Sequence, residues 1–497
     1  MLEFSWKRLP DGQGYACENV PYIPAPQAPE LQCLNIYVPA GYVRGGAVDP
    51  AGSAGSFTAK TAPVIFENGI GGYMECAPRP LGPFGQEYLA RGFVYVTVGA
   101  RGRGTKAADG TYIGKSPAAL VDLKAAVRFL RANAARLPGD MERIVSVGTS
   151  AGGAMSSLLG VTGNSENYEK ELAAIGACEG RDDIFAAQCY CPIIDLENAD
   201  MAYEWLFRAD TEFTGFMGAG GTLSGFQQAL SHGMAERYLA YFNRLGLRHP
   251  ETGAALTLEP GGRAGGAYDF LMDVLERAAE KYLRKLAAGE LNVGYSFEDY
   301  MAGRYETTIP TPDGPLTLPG VDKQPFLRYD GERAAITSLD DYVLHNCRRM
   351  KACLAFDDLA LGQAENEELG DERTNAVHFD PEAAAEIDRL RSDFPEAAAA
   401  ADGYRMCLDD AALDRRKYLI NPMNYIGTDE KSDFAPHFRI RLGTRDGHTS
   451  FTVAMALALK LMETGRADVD YDMVWDEGHG PADYPGEFSD WVERICK

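Results

Sequence analysis

Four short, almost wholly apolar segments punctuate the N-terminal part of the chain, at 33–38, 63–66, 92–98 and 143–147. Each is too brief for a helix and lacks polar alternation, which predicts strands buried on both faces of a sheet. Between the last two, residues 118–130 repeat apolar side chains at helical spacing. Strand and helix therefore alternate. That order predicts an α/β fold, a mostly parallel sheet flanked by helices, with functional residues on loops past the carboxyl ends of strands. After about residue 195 the pattern changes to long alanine-, leucine- and charge-rich stretches such as 268–286 and 381–390, mixed with glycine-rich loops such as 218–221. Near residue 430 the α/β pattern resumes with a strand at 438–442, a helix at 453–462, a strand at 469–475 and a closing helix at 487–495. The expectation is one split core domain, 1–195 and 430–497, carrying a large inserted and mainly helical cap, 196–429. Two tandem domains would leave the C-terminal strands without a sheet, and no Pro/Ser-rich linker separates such units.

Composition narrows the function. A chain of 497 residues exceeds what a single compact core needs, so a large insertion is expected. The net charge of -24 argues against sequence-independent nucleic-acid binding and against anionic membranes, both of which need a basic surface. Small neutral or amphipathic molecules fit better as partners. Residues 1–8 contain no apolar run of signal-peptide length, and no later stretch approaches a membrane span, so a cytoplasmic location is expected. Ten cysteines are then expected as free thiols. Cys189 and Cys191 alternate along a predicted strand and would share a face, but two ligands without a second pair make a poor metal site. They are read as a buried strand end, and neither metal nor cofactor is expected.

The segment Gly148-Thr149-Ser150-Ala151-Gly152 follows one of the predicted strands and precedes a helix-compatible run of small residues. In a chain with 54 glycines the bare Gly-x-Ser-x-Gly spacing is a weak signal. Its flanks carry the weight, because strand, sharp turn and helix are the context that lifts a serine hydroxyl clear of a sheet. A serine nucleophile needs a base, and a base needs an orienting acid, in the chain order Ser, Asp or Glu, His for the α/β-hydrolase fold. Among seven histidines, His479 stands between Gly478 and Gly480 just past the last predicted strand, where that base is expected. Asp446, in the loop after the preceding strand, is the candidate acid. Asp476 and Glu477 lie too near His479 in sequence to face its ring, and Asp195 is a weaker alternative. The oxyanion is expected to meet the amide of Ala151 and one from Gly71 or Gly72, in the glycine-rich loop after strand 63–66. No Lys-Ser/Thr follows those glycines, so they are not read as a phosphate cradle.

Several segments together, Asn35-Ile36-Tyr37-Val38-Pro39, Glu67 to Met74, Gly148 to Ala154, Tyr190-Cys191-Pro192-Ile193 and Ala202-Tyr203-Glu204-Trp205, resemble the bacterial tannases and their esterase relatives. The resemblance implies a serine esterase of the α/β-hydrolase superfamily that cleaves phenolic-acid esters, galloyl esters above all, beneath a cap. It also implies that Lys351 and Glu365, from the cap, meet the phenolic hydroxyls. Taken without it, both would be solvated helix residues. This chain departs from the family at His448, two residues after Asp446, where the pattern has an acidic residue. An imidazole can bond a phenol, but it lacks a fixed negative charge and titrates. Feruloyl-type or broad carboxylesterase activity is the alternative. A serine peptidase of related fold would bring a propeller, whose many short strands are missing, and a non-catalytic binding module would lack a triad member.

Overall fold

The structure, a computed structural model, describes residues 4–215, 220–311, 314–428 and 431–497; Gly218 of the predicted glycine-rich loop and the core boundary at 429 and 430 fall outside them. Strands β1 (Lys7–Arg8), β2 (Gly14–Pro21), β3 (Cys33–Pro39), β4 (Val64–Asn68), β5 (Val94–Val98), β6 (Ile144–Thr149), β7 (Ala186–Tyr190), β8 (His437–Gly443) and β9 (Asp468–Val474) form one sheet. Their order across it is β1-β2-β3-β5-β4-β6-β7-β8-β9. The first three strands pair antiparallel, and β3 meets β5 antiparallel. From β5 to β9 every pairing is parallel. All residues of β3, β5 and β7 are buried, as their mostly apolar sequences require, and Asn35, Thr97 and Gln188 are buried among them.

The predicted strands are present with ends moved by a residue or two. Gly92, for example, is not in β5; at φ 91 it caps helix α1 (Pro83–Arg91) in the left-handed conformation that glycine adopts without cost. Strand β2 has no counterpart among the expectations. It is half exposed and broken by a register shift between Cys17 and Val20, so its sequence lacks the apolar run that marks the central strands. Helix α2 (Ala118–Ala132) follows β5, and α3 (Ala151–Val161), buried along its whole length, follows β6.

Strands β7 and β8 are sheet neighbours, although the chain from Cys191 to Pro436 lies between them. This insertion begins with α4 (Leu196–Phe207) and contains helices Gly225–Arg244, Gly266–Ala287, Pro381–Leu390, Pro395–Arg405 and Ala411–Leu419, with small hairpins such as Leu327–Tyr329 paired to Ala334–Ile336. Among the described residues no helix is long and apolar enough to cross a membrane.

Candidate active site

The parallel strands end together at one rim of the sheet, and the candidate residues gather there. Ser150 sits between β6 and α3 with φ 62 and ψ -122, a conformation an L-residue adopts only under constraint. The constraint is visible on both sides. A Cβ on Gly148 would stand 2.1 Å from the Gly152 carbonyl oxygen, and one on Gly152 would stand 2.5 Å from Asn68 Oδ1. Only glycine fits at either place. The Ser150 amide donates to Tyr190 O at 2.9 Å, and the Asn68 side-chain amide donates to Val147 O, Gly152 O and Ser156 Oγ, each at 3.2 Å. The turn is thus pinned to both neighbouring strands.

Asp446, fully buried, lies past β8, and His479 lies past β9. His479 Nδ1 is 2.8 Å from Asp446 Oδ2, and the other carboxylate oxygen accepts from the His448 amide at 2.9 Å. The two loops approach closely because Gly443 has no side chain; a Cβ there would meet Glu477 O at 2.3 Å. The Arg445 amide then donates to that same carbonyl at 2.8 Å. Two of the other acids considered have their carboxylates bonded elsewhere. Asp476 bonds Lys323 and Tyr300, and Asp195 bonds Tyr241, Asn198 and Asn421.

The electrostatics favour an ion pair. Burial disfavours the charged His479 imidazolium, yet the Asp446 carboxylate outweighs it and lifts His479 well above the ordinary histidine value. Burial likewise works against the Asp446 carboxylate, but His479 and then His448 hold it below the usual range. His448, its ring 4.4 Å from that of His479, goes the other way. Burial, then His479 and Lys351, push it down to about 3 against the pull of Asp446. The titrating imidazole expected from sequence is therefore a neutral group throughout the working pH range.

The glycine-rich loop follows β4. Gly71 faces open space, while Gly72, at φ +52, has Ala364 as its neighbour. The loop is tied down at three places: Gly152 N donates to Ile70 O at 2.9 Å, Met74 N to Gly71 O at 3.0 Å, and Arg103 Nε to Gly72 O at 2.8 Å. Ala151, buried, opens α3 directly beside it. Glu365 is also buried, on the one-turn helix Ala364–Glu368, and its charge acts on Tyr73 of the loop. Lys351 carries its Nζ 4.0 Å above the Phe356 ring and acts electrostatically on His448. The structure thus brings Lys351 together with His448, and Glu365 together with the glycine-rich loop.

Two further residues at the site were not singled out as candidates. Tyr203 is fully buried on α4; its hydroxyl donates to Gly447 O at 2.9 Å and accepts from the amides of Met350 at 3.1 Å and Lys351 at 2.9 Å. It stitches the loop of Lys351 to the loop of Asp446 and His448. Asp200 and Glu204, four residues apart on the same helix, are buried beside it: Asp200 accepts from the amides of Ala355, Phe356 and Asp357, and Glu204 pairs with buried Arg349. Polar residues at 200, 203 and 204 within an apolar helical stretch were the available signal. The other is Cys191. It does not continue β7, whose last residue is Tyr190, and its φ of 35 breaks the alternation that would have placed it on one face with Cys189. Its thiol lies beside His479, 3.5 Å from Gly480 O.

Comparisons with known proteins agree with this fold. A family model described as BD-FAE matches residues 77–222. Esterase LipC of Mycobacterium tuberculosis is 41% identical over 56 residues, a match spanning 11% of this chain and 14% of that relative. Three solved structures match nearly from end to end. Tannin acyl hydrolase from Lactobacillus plantarum is 32% identical with a TM-score of 0.80, over 99% of this chain and 97% of that one. The tannase of Fusobacterium nucleatum is 32% identical with a TM-score of 0.81, over 100% and 98%. A tannin acyl hydrolase in complex with ethyl gallate is 33% identical with a TM-score of 0.79, over 100% and 97%. Fold and site define a carboxylic ester hydrolase of the α/β-hydrolase class. Within that class, the chain belongs to the bacterial tannase family.

Proposed function

We propose that the chain hydrolyses esters of phenolic acids, galloyl and related hydroxybenzoyl esters, through an acyl-enzyme on Ser150. The observation that carries this reading is the buried Asp446–His479 pair, 2.8 Å apart, at the same sheet rim as a serine held at φ 62. In this reading His479 takes the Ser150 proton as Oγ attacks the ester carbonyl, then gives it to the departing alcohol. Asp446 keeps the ring oriented. Water then attacks the acyl carbonyl, its proton going to His479 and from there back to Ser150 Oγ. The amide of Ala151 and one from Gly71 or Gly72 bind the oxyanion in both steps. The division into a core, 1–195 with 430–497, and a cap, 196–429, is part of the proposal, supported by the pairing of β7 with β8 across the insertion.

Substrate class rests on the cap. Relatives have been solved with ethyl gallate and with 3,4-dihydroxybenzoate. Here Lys351 would meet one phenolic oxygen as a donor, and Glu365 would accept from a phenolic hydroxyl. The neutral His448 beside them favours a second, wider reading, in which esters with fewer ring hydroxyls, feruloyl esters among them, are also cleaved. Ten free cysteines support the cytoplasmic expectation. Two measurements test the proposal. A fluorophosphonate probe should label the protein but not Ser150→Ala, and labelling of that variant defeats the assignment of the nucleophile. Methyl gallate, methyl protocatechuate, methyl ferulate and a short-chain alkyl ester should be cleaved at different rates; equal rates on all four defeat a phenol-reading cap.

A further inference from the structure

Cys191 has no part in the proposed ester hydrolysis, yet it stands in the middle of it. It follows the strand beside the elbow strand, its amide donates to Arg441 O at 2.7 Å, and its side chain is fully buried. Its sulfur, a carboxylate oxygen of Asp446 and a ring nitrogen of His479 all lie within 4.8 Å of one another. We propose that these three side chains form a site for a thiophilic divalent cation, Zn2+ or Cd2+, whose occupation shuts off hydrolysis. The inhibition, though not the binding, rests on the reading of His479 as the base.

The donor set is one such a cation selects: a soft sulfur, an imidazole and a carboxylate. Tetrahedral coordination with bonds of about 2.0 to 2.3 Å places donors roughly 3.3 to 3.8 Å apart. Separations that all lie within 4.8 Å therefore have to contract by no more than about 1.5 Å. The His479 loop can supply that movement, since both flanking glycines, Gly478 and Gly480, face open space. As the cation binds, the Cys191 thiol and the His479 imidazolium each lose a proton to solvent, so that the sulfur binds as thiolate and the ring nitrogen through its lone pair. Either ring nitrogen serves to stop the enzyme. A cation on Nε2 takes the lone pair that would accept the Ser150 proton, and one on Nδ1 replaces the bond to Asp446 that orients the ring. Cys189, buried inside β7, is outside this cluster.

Titration of the full-length protein with Cd2+ tests the site without relying on activity. A sulfur-to-cadmium charge-transfer absorption should grow to one cation per chain, and ester hydrolysis should fall over the same range and return with EDTA. In Cys191→Ser and Cys191→Ala the absorption should vanish and the inhibitory concentration should rise at least ~10-fold. In Cys189→Ser both should persist. His479→Gln, which keeps the thiol, should bind Cd2+ at least ~10-fold more weakly. An absorption unchanged in both Cys191 variants, or lost in Cys189→Ser, overturns the site. If His479→Gln still hydrolyses esters, the reading of the base fails, and the absorption alone then decides the site.

Discussion

Replacing Tyr203 with Phe removes one oxygen and nothing else. That oxygen serves three backbone groups, accepting from Met350 N and Lys351 N and donating to Gly447 O, inside a fully buried environment. Leaving a buried donor or acceptor without a partner costs about 1 to 3 kcal/mol, and losses that share one centre do not add fully, so the variant should lose about 2 to 4 kcal/mol of stability. The functional cost should be selective. The loops stitched by the hydroxyl carry Lys351 on one side and His448 on the other, so their slack displaces the groups proposed to read the phenol. We expect KM to rise for methyl gallate and methyl protocatechuate, with a much smaller change for methyl benzoate, which lacks the hydroxyls. Urea unfolding midpoints and steady-state kinetics on the three esters give both quantities. A Tyr203→Phe protein with unchanged stability and an unchanged ratio of KM values refutes the reasoning, because three hydrogen bonds would then hold nothing in place.

The lifted His479 sets the direction of the pH dependence: a base held protonated must lose its proton to act, so kcat/KM should rise with pH to a midpoint above the ordinary histidine value near 6.5. Asp446→Asn should cut kcat by roughly 10⁴-fold and move that midpoint down, and an unmoved midpoint contradicts the pairing. Buried Glu368, whose two carboxylate oxygens have no hydrogen-bond partner, is raised well above the usual carboxylate value by burial. Its unfolded form ionises first as pH climbs, so stability drains between the unfolded and folded values; Glu368→Gln should flatten that loss in melting curves recorded from pH 4 to 8, and parallel curves count against it. His448→Asp restores the family's acidic residue beside Lys351 and should raise the preference for methyl gallate over methyl protocatechuate several-fold in competition assays, whereas a preference that falls removes His448 from the recognition site.

Reading the chain alone recovers what is locally encoded. The central strands were legible because a strand covered on both faces is mostly apolar, as β3 and β5 are with one buried polar residue each, Asn35 and Thr97. The elbow was legible because a serine at positive φ tolerates only glycine at positions 148 and 152. The order of Ser150, Asp446 and His479 followed from the fold class, since each sits on the loop ending a parallel strand. Strand β2, half exposed and bulged, carried too little of that pattern to be seen.

Tertiary structure alone decided what crosses the chain. Tyr203 and Gly447 are 244 positions apart, and the polar residues near it on its helix say nothing of which distant backbone its hydroxyl meets. The charge state of His448 belongs to the same class: sequence supplies an imidazole, but burial and the nearby His479 and Lys351 keep it neutral. Cys191 was judged by its neighbour Cys189, when the folded chain sets it against His479 and Asp446. Short-range sterics and solvent exposure write themselves into neighbouring residues, whereas the contacts that choose a substrate or admit a cation join distant segments and exist only once the sheet has gathered its loops at one rim.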